Sequence, residues 1–161
     1  MQLIDCTHAR GRDAATVSGI EEEPMPRTIR AIDYYYVKVV DRPGEACRVL
    51  KELADHGVNL LVFHIIPGSA ASTQLALFPE DVDNLVEALD GSGLDLNGPL
   101  RALLIQGDDE LGALVEIHRR LYDAGINVAS SSGITDGRMG YGYVVYLRPE
   151  DIDRAASLLE T

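Results

Sequence analysis

The chain has no tryptophan, two phenylalanines and two cysteines in 161 residues. Cys6 stands in the N-terminal region and Cys47 in a helical pattern, so no disulfide framework is available and the thiols are expected to be reduced. Cations are scarce too: 14 Lys and Arg face 26 Asp and Glu, a net charge of −12. That balance argues against nucleic acid, whose phosphates need a basic surface, and against an anionic membrane. No long apolar run is present, and the first residues hold Asp5, His8, Arg10, Arg12 and Asp13, so neither a signal peptide nor a span is expected there. A cytoplasmic location is expected. Four histidines and Cys6 show no zinc spacing beyond Cys6 and His8 themselves. No nucleophile–base pair, carboxylate cluster or cofactor fingerprint appears, so neither catalysis, metal nor cofactor is expected.

What is abundant is repetition. Asp41, Gly44, Gly57 and Asn59 recur as Asp109, Gly112, Gly125 and Asn127, each 68 residues later. Pro79-Glu80-Asp81-Val82-Asp83 returns 70 residues on as Pro149-Glu150-Asp151-Ile152-Asp153. Two copies of one small unit explain both offsets. With 46% hydrophobic residues the chain can bury a core for each.

Residues 1–30 lack periodicity and gather Gly11, Gly19, Glu21 to Glu23, Pro24 and Pro26, which suits a flexible leader. Met25 offers a second starting point for the natural chain. Beyond it, Tyr34 to Val40 has the aromatic and β-branched content of a strand. Gly44 introduces a helix with apolar Ala46, Val49, Leu50 and Leu53, matched by Leu114, Ile117, His118 and Leu121. Gly57 and Gly125 read as left-handed helix caps. Strands follow from Asn59 to Ile66 and from Asn127 to about Ser132. Turns at Pro67-Gly68-Ser69 and from Gly133 to Gly140 lead to return strands Thr73–Phe78 and Tyr141–Leu147. Pro79 and Pro149 are read as first helical positions of the closing helices.

Each copy is thus strand, helix, strand, strand, helix. Leu94 to Ile105 can complete the first as a βαββαβ unit, an α+β fold with helices on one face of an antiparallel sheet. Expected boundaries are 31–99 and 100–161. The second copy lacks its last strand; Thr28 to Ile32, a partner chain or an open edge are the alternatives.

A glycine turn feeding a helix presents backbone N–H groups at the positive end of a dipole, a cradle for a carboxylate. Asp41 precedes that turn and Asn59 opens the next strand, so the expectation is that all three converge on one amino acid. Here the chain resembles the ACT domain family, through Asp41-Arg42-Pro43-Gly44 and Val58-Asn59-Leu60 in the first copy. The second matches through Asp109, Gly112 and Gly125-Ile126-Asn127, with Leu111 in place of the proline. The resemblance covers about residues 33 to 160 and implies a regulatory module without a catalytic domain. It implies amino-acid binding between paired domains, by Asp41, Pro43, Gly44 and Asn59 and by Asp109, Gly112 and Asn127. A homodimer with allosteric behaviour is expected; the alternative is a subunit that binds a metabolic enzyme and no ligand.

Arg138, in the glycine-rich run, is a candidate lid contact over the neighbouring turn. His118 is expected at a core boundary and Cys47 in the core. Tyr34, Tyr36, Tyr141 and Tyr143 are candidates for one aromatic sheet face that packs on another sheet or subunit; acidity argues against base stacking there.

Overall fold

The computed structural model describes residues 27–68, 71–135, 137 and 139–160. Most of the expected leader, with Cys6, His8 and Met25, lies outside the described residues, as does Arg138. The elements run β1 (Thr28–Val40), α1 (Glu45–Asp55), β2 (Leu60–Pro67), β3 (Ser72–Pro79), α2 (Val82–Leu89), β4 (Leu96–Asp108), α3 (Ala113–Asp123), β5 (Ser130–Thr135), β6 (Gly140–Tyr146) and α4 (Ile152–Glu160). A short 3-10 turn over Pro149–Asp151 leads into α4, with its proline at the start as expected.

Six antiparallel strands form one sheet in the order β2-β3-β1-β4-β6-β5. Its two central strands serve both copies. The second half of β1 pairs with β3, from Tyr35↔Leu77 to Val40↔Ser72. Its first half pairs with the far half of β4, from Thr28↔Gln106 to Tyr34↔Leu100. Residues Thr28 to Ile32 therefore supply the edge that the second copy lacks, and the end of the expected leader, Thr28–Arg30, is strand. In return β4 begins beside the first copy, at Tyr36↔Asn97 and Val37↔Leu96. The ladder shifts register between Tyr34 and Tyr36. Gly98 sits at this step with φ 148, and a Cβ there would stand 2.7 Å from the Tyr35 ring. Glycine is what lets the two strands stay paired across the junction.

Strand alternation divides the side chains between two faces. Tyr35, Val37, Val39, Leu75 and Leu77 meet Val49, Leu53, Leu85 and Leu89 from α1 and α2. Leu103, Ile105, Tyr143 and Val145 meet Ile117 and Leu121 of α3 and Ile152, Ala155 and Leu159 of α4. A third cluster occupies the face without helices: Ala76, Phe78, Ala102, Leu104 and Val144, with Ile32, Tyr34, Val62 and Tyr146 packed on it. It draws on both copies because the sheet curls. Nδ1 of His64 on β2 lies 3.2 Å from the Tyr146 hydroxyl on β6, although strands four places apart in a flat sheet are separated by about 19 Å.

The expected second-copy strand from Asn127 starts only at Ser130 and runs through Gly133 to Thr135, which the sequence placed in the turn. Three further expectations need correction. Pro79 ends β3, paired with Leu60, and Asp81 is the residue that caps α2, accepting from the Asp83 and Asn84 amides. Cys47 is exposed rather than core. It stands two residues, about 200° of helix, from buried Val49, on the opposite side of α1. The four tyrosines share no face: Tyr34 packs in the concave cluster, while Tyr143 faces α3, its hydroxyl 2.6 Å from His118 Nε2. His118, expected at the core boundary, is exposed but has the Tyr143 hydroxyl as a partner.

Candidate functional site

Both glycine turns have the geometry that their residues suggest. Gly44 and Gly112 stand at the N-caps of α1 and α3 with φ 95 and 89, and neither helix has a side-chain cap. Only backbone conformation demands glycine here, since a Cβ at either position would meet nothing within 4 Å. Each turn is tied to its neighbouring hairpin: the Asp41 amide donates to the Ala71 carbonyl at 3.2 Å, and the Asp109 amide to the Met139 carbonyl at 2.5 Å. Asp41, Pro43, Asp109 and Gly112 are all exposed.

The expected convergence with the asparagines does not occur. A helix reverses the chain, so the strand after it starts at the far end of the sheet. Leu60 pairs with Pro79, and Leu77 with Tyr35, which sets the start of β2 level with the middle of β1. Asp41 lies beyond the end of β1, about 25 Å further along at the usual rise per residue. The Asn59 amide instead donates to Glu80 at 2.8 Å. Asn127 is displaced in the same way: Ser130 pairs with Tyr146 at one end of the sheet, whereas Gly112 follows Asp108 at the other.

The two turns also differ in charge. In the first, buried Glu45 takes the opening position of α1, where its carboxylate accepts from Arg42 Nε at 2.7 Å and from Arg48 at 3.0 and 3.2 Å. Arg42, then Arg48, hold that carboxyl below its ordinary range. An internal anion thus already complements the start of the helix. The equivalent residue in the second turn is Ala113, and the start of α3 borders a cavity of about 450 Å³. Asp109, Glu110, Gly112 and Ala113 line it on one side, and Ile134, Thr135, Tyr141 and Gly142 of the β5–β6 hairpin on the other.

A second cavity, of about 510 Å³, opens on the concave face. Leu61 to His64 of edge strand β2 face Ser132 to Thr135 of edge strand β5 across it, with Arg30, Leu104, Gln106 and Gly142 between them. At its end Tyr146 is pushed up to about 12 by burial and then by neighbouring Tyr34. Its hydroxyl therefore keeps its proton and lies within hydrogen-bond distance of His64 Nδ1. No motif in the sequence marks Arg30 or His64. Gly142 was visible only as part of a glycine-rich run.

Among the described residues, no cluster of three or more His, Cys, Asp and Glu is arranged to hold a metal, and no helix is long and apolar enough to cross a membrane.

No family model matches the chain, and no curated protein does. Solved structures do. The protein BT0572 from Bacteroides thetaiotaomicron superposes with a TM-score of 0.71 at 19% identity, over 82% of this chain and 88% of that one. The chain has the tandem ACT-like fold. The regulatory subunits of aspartate kinase from Thermus thermophilus and Thermus flavus share this ACT-like architecture. Their TM-scores are 0.60 and 0.55, at 12% and 14% identity, and each match covers 84% of this chain and 95% of theirs. At these identities the likeness is one of fold.

Proposed function

We propose that this ACT-like protein is a regulatory protein that senses an amino acid at the β4–α3 turn. The observation that carries the reading is the cavity at the uncapped start of α3, with Asp109 and Glu110 at its rim. Amides at the positive end of the helix suit the ligand carboxylate, and the two acids suit its ammonium group. The first turn is the weaker candidate because Glu45, with its arginine pair, already supplies the anion there. The likeness to regulatory subunits of aspartate kinase supports regulation without catalysis by this chain. The mechanism is linkage: the ligand favours one conformation or assembly to the extent that it binds that state more tightly.

Thermal unfolding against each of the twenty amino acids tests this. A ligand at 100 times its Kd adds about 2.7 kcal/mol, a shift of several degrees for a chain of this size. One hit is expected, weakened about tenfold or more by Asp109→Asn. A flat panel, or a hit indifferent to that substitution, overturns the proposal.

The outer side of α3 favours a second reading, that of a subunit bound to a metabolic enzyme. Val115 and Tyr122 stand two turns apart on α3 with 68% and 81% of their surface exposed, and Leu111 in the turn before the helix is fully exposed, an apolar patch of the kind that marks interfaces. In the sensor reading the same patch pairs two copies as a homodimer. A flat amino-acid panel together with a heteromeric complex broken by Val115→Asp would select the enzyme partner.

A further inference from the structure

The concave cavity differs in chemistry from the turn cavity. None of its lining residues is Asp or Glu, in a chain that carries 26 of them. The register places Arg30, Leu104, Val144 and Ser132 in one row across β1, β4, β6 and β5, and Gln106, Gly142 and Ile134 in the next. A cation thus sits beside a floor of leucine, valine and isoleucine. No described residue pairs with the Arg30 guanidinium. His64, whose Nδ1 lies 3.2 Å from the Tyr146 hydroxyl, adds a polar ring among the apolar residues of β2.

Gly142 is the second, independent sign. It lies inside β6, paired with Gln106 on one side and Ile134 on the other, where a β-branched residue would stabilise the strand. Packing explains other strand glycines: a Cβ at Gly133 would press on the Tyr143 ring at 3.1 Å, and one at Gly107 on Tyr141 at 3.3 Å. A Cβ at Gly142 would meet only Ile134, at 3.9 Å, and its φ is not in the left-handed region. What its absence preserves is open space above the sheet, which fits a strand glycine at a point of close ligand approach.

We infer that the concave face is a second ligand site, distinct from the β4–α3 turn, which takes a simple monocarboxylate with an apolar body. The carboxylate pairs with Arg30 at the mouth, where a planar guanidinium can bind both oxygens. The body lies over Leu104, Val144 and Gly142 between the two sheet edges. One arginine, with no lysine and no helix start, is too little charge for a phosphate dianion. The absence of a carboxylate leaves an α-ammonium group without a partner, so the site prefers a deaminated acid to the matching amino acid. The volume falls in the usual range for small-molecule sites, about 300–1,000 Å³.

Three probes share one chain and differ in the head group: octanoate, octanamide and 2-aminooctanoate, each titrated calorimetrically into the full-length protein. Saturable one-to-one binding of octanoate is expected, with the other two weaker by about tenfold or more. Arg30→Gln should bring octanoate down to the amide's level, and Gly142→Val should abolish binding by filling the floor. Asp109→Asn, which alters only the turn cavity, should leave octanoate unchanged. Equal affinity for octanoate and octanamide overturns the inference, as does full affinity in Arg30→Gln. Loss of octanoate in Asp109→Asn also overturns it by moving the ligand to the turn. Arg30 is exposed, so its substitution reports on binding even where Gly142→Val does not fold.

Discussion

Replacing Phe78 by alanine asks whether the concave face is a core in its own right. Phe78 is fully buried, its ring stacked on Tyr34 at a centroid distance of 4.8 Å and edge-on to Tyr146 at 6.1 Å. Removing such a ring loses its transfer free energy and leaves a cavity, together about 3–5 kcal/mol. Roughly 0.5–1.5 kcal/mol of that is aromatic geometry. Collapse into the gap is restricted because β3 is paired on both sides, with β1 and β2. The upper part of the range is therefore expected, a large share of the about 5–15 kcal/mol that holds a typical domain. Tyr34 on β1 and Tyr146 on β6 lose the same partner, so unfolding should remain one transition at lower urea with an unchanged slope. Urea titration followed by tyrosine fluorescence and far-UV circular dichroism measures this without interference from tryptophan. Phe78→Leu keeps much of the volume and should cost clearly less. A loss below about 1 kcal/mol for Phe78→Ala would refute the reasoning, because the third cluster would then be a surface and not a core. Two separated transitions would refute it differently, by showing that the copies fold independently.

Glu45 titrates below its unfolded value because of Arg42 and Arg48, so its contribution is complete above the carboxylate range and is lost as pH falls through the folded value. Wild type should exceed Glu45→Gln in stability at neutral pH, and the gap should close below about pH 4; a constant gap in acid urea melts would remove the ion pair as its cause. Hydrogen exchange should be fastest in β5, which is exposed throughout and pairs only with β6, and slowest in β1 and β4, the two strands at the centre of the sheet. Equal protection of β5 and β4 would contradict this ranking.

Much of the architecture was legible in local signals. Gly44, Gly57, Gly112 and Gly125 all have positive φ, so the glycine pattern located both ends of α1 and α3. The buried positions Val49, Leu53, Ile117 and Leu121 follow the apolar period. The errors have physical causes. The asparagines were misplaced by direction, since a helix carries the chain back down the sheet before Asn59 and Asn127 appear. Pro79 resembles Pro149 in sequence context, yet the β2–β3 ladder runs one residue into it and displaces the helix cap to Asp81. Cys47 shares a helix with apolar residues but not their side. The concave cavity could not be read at all, because it depends on curling that brings His64 to Tyr146 across 82 positions of sequence. Local periodicity reports which side of a strand is apolar, and not whether two ends of a sheet will meet.

The shared strands also constrain how such a protein can regulate anything. Two copies joined by a loop can rock against each other, but here β1 and β4 each belong to both, and the ladder from Thr28↔Gln106 to Tyr34↔Leu100 would have to break first. Movement is cheaper at the margin. The β5–β6 hairpin separates the two cavities, and Gly133, Ile134, Thr135, Tyr141 and Gly142 border both. On the proposals above, an amino acid that drew the hairpin toward α3 would change the width of the concave face, and a carboxylate over Gly142 would change the turn. Coupling through a common wall is reciprocal, and each ligand contributes only its difference in affinity between the two hairpin positions. On the two proposals above, the opposite charge of the two linings, acids at Asp109 and Glu110 against Arg30 alone, would let one small fold compare an amino acid with a simple carboxylate.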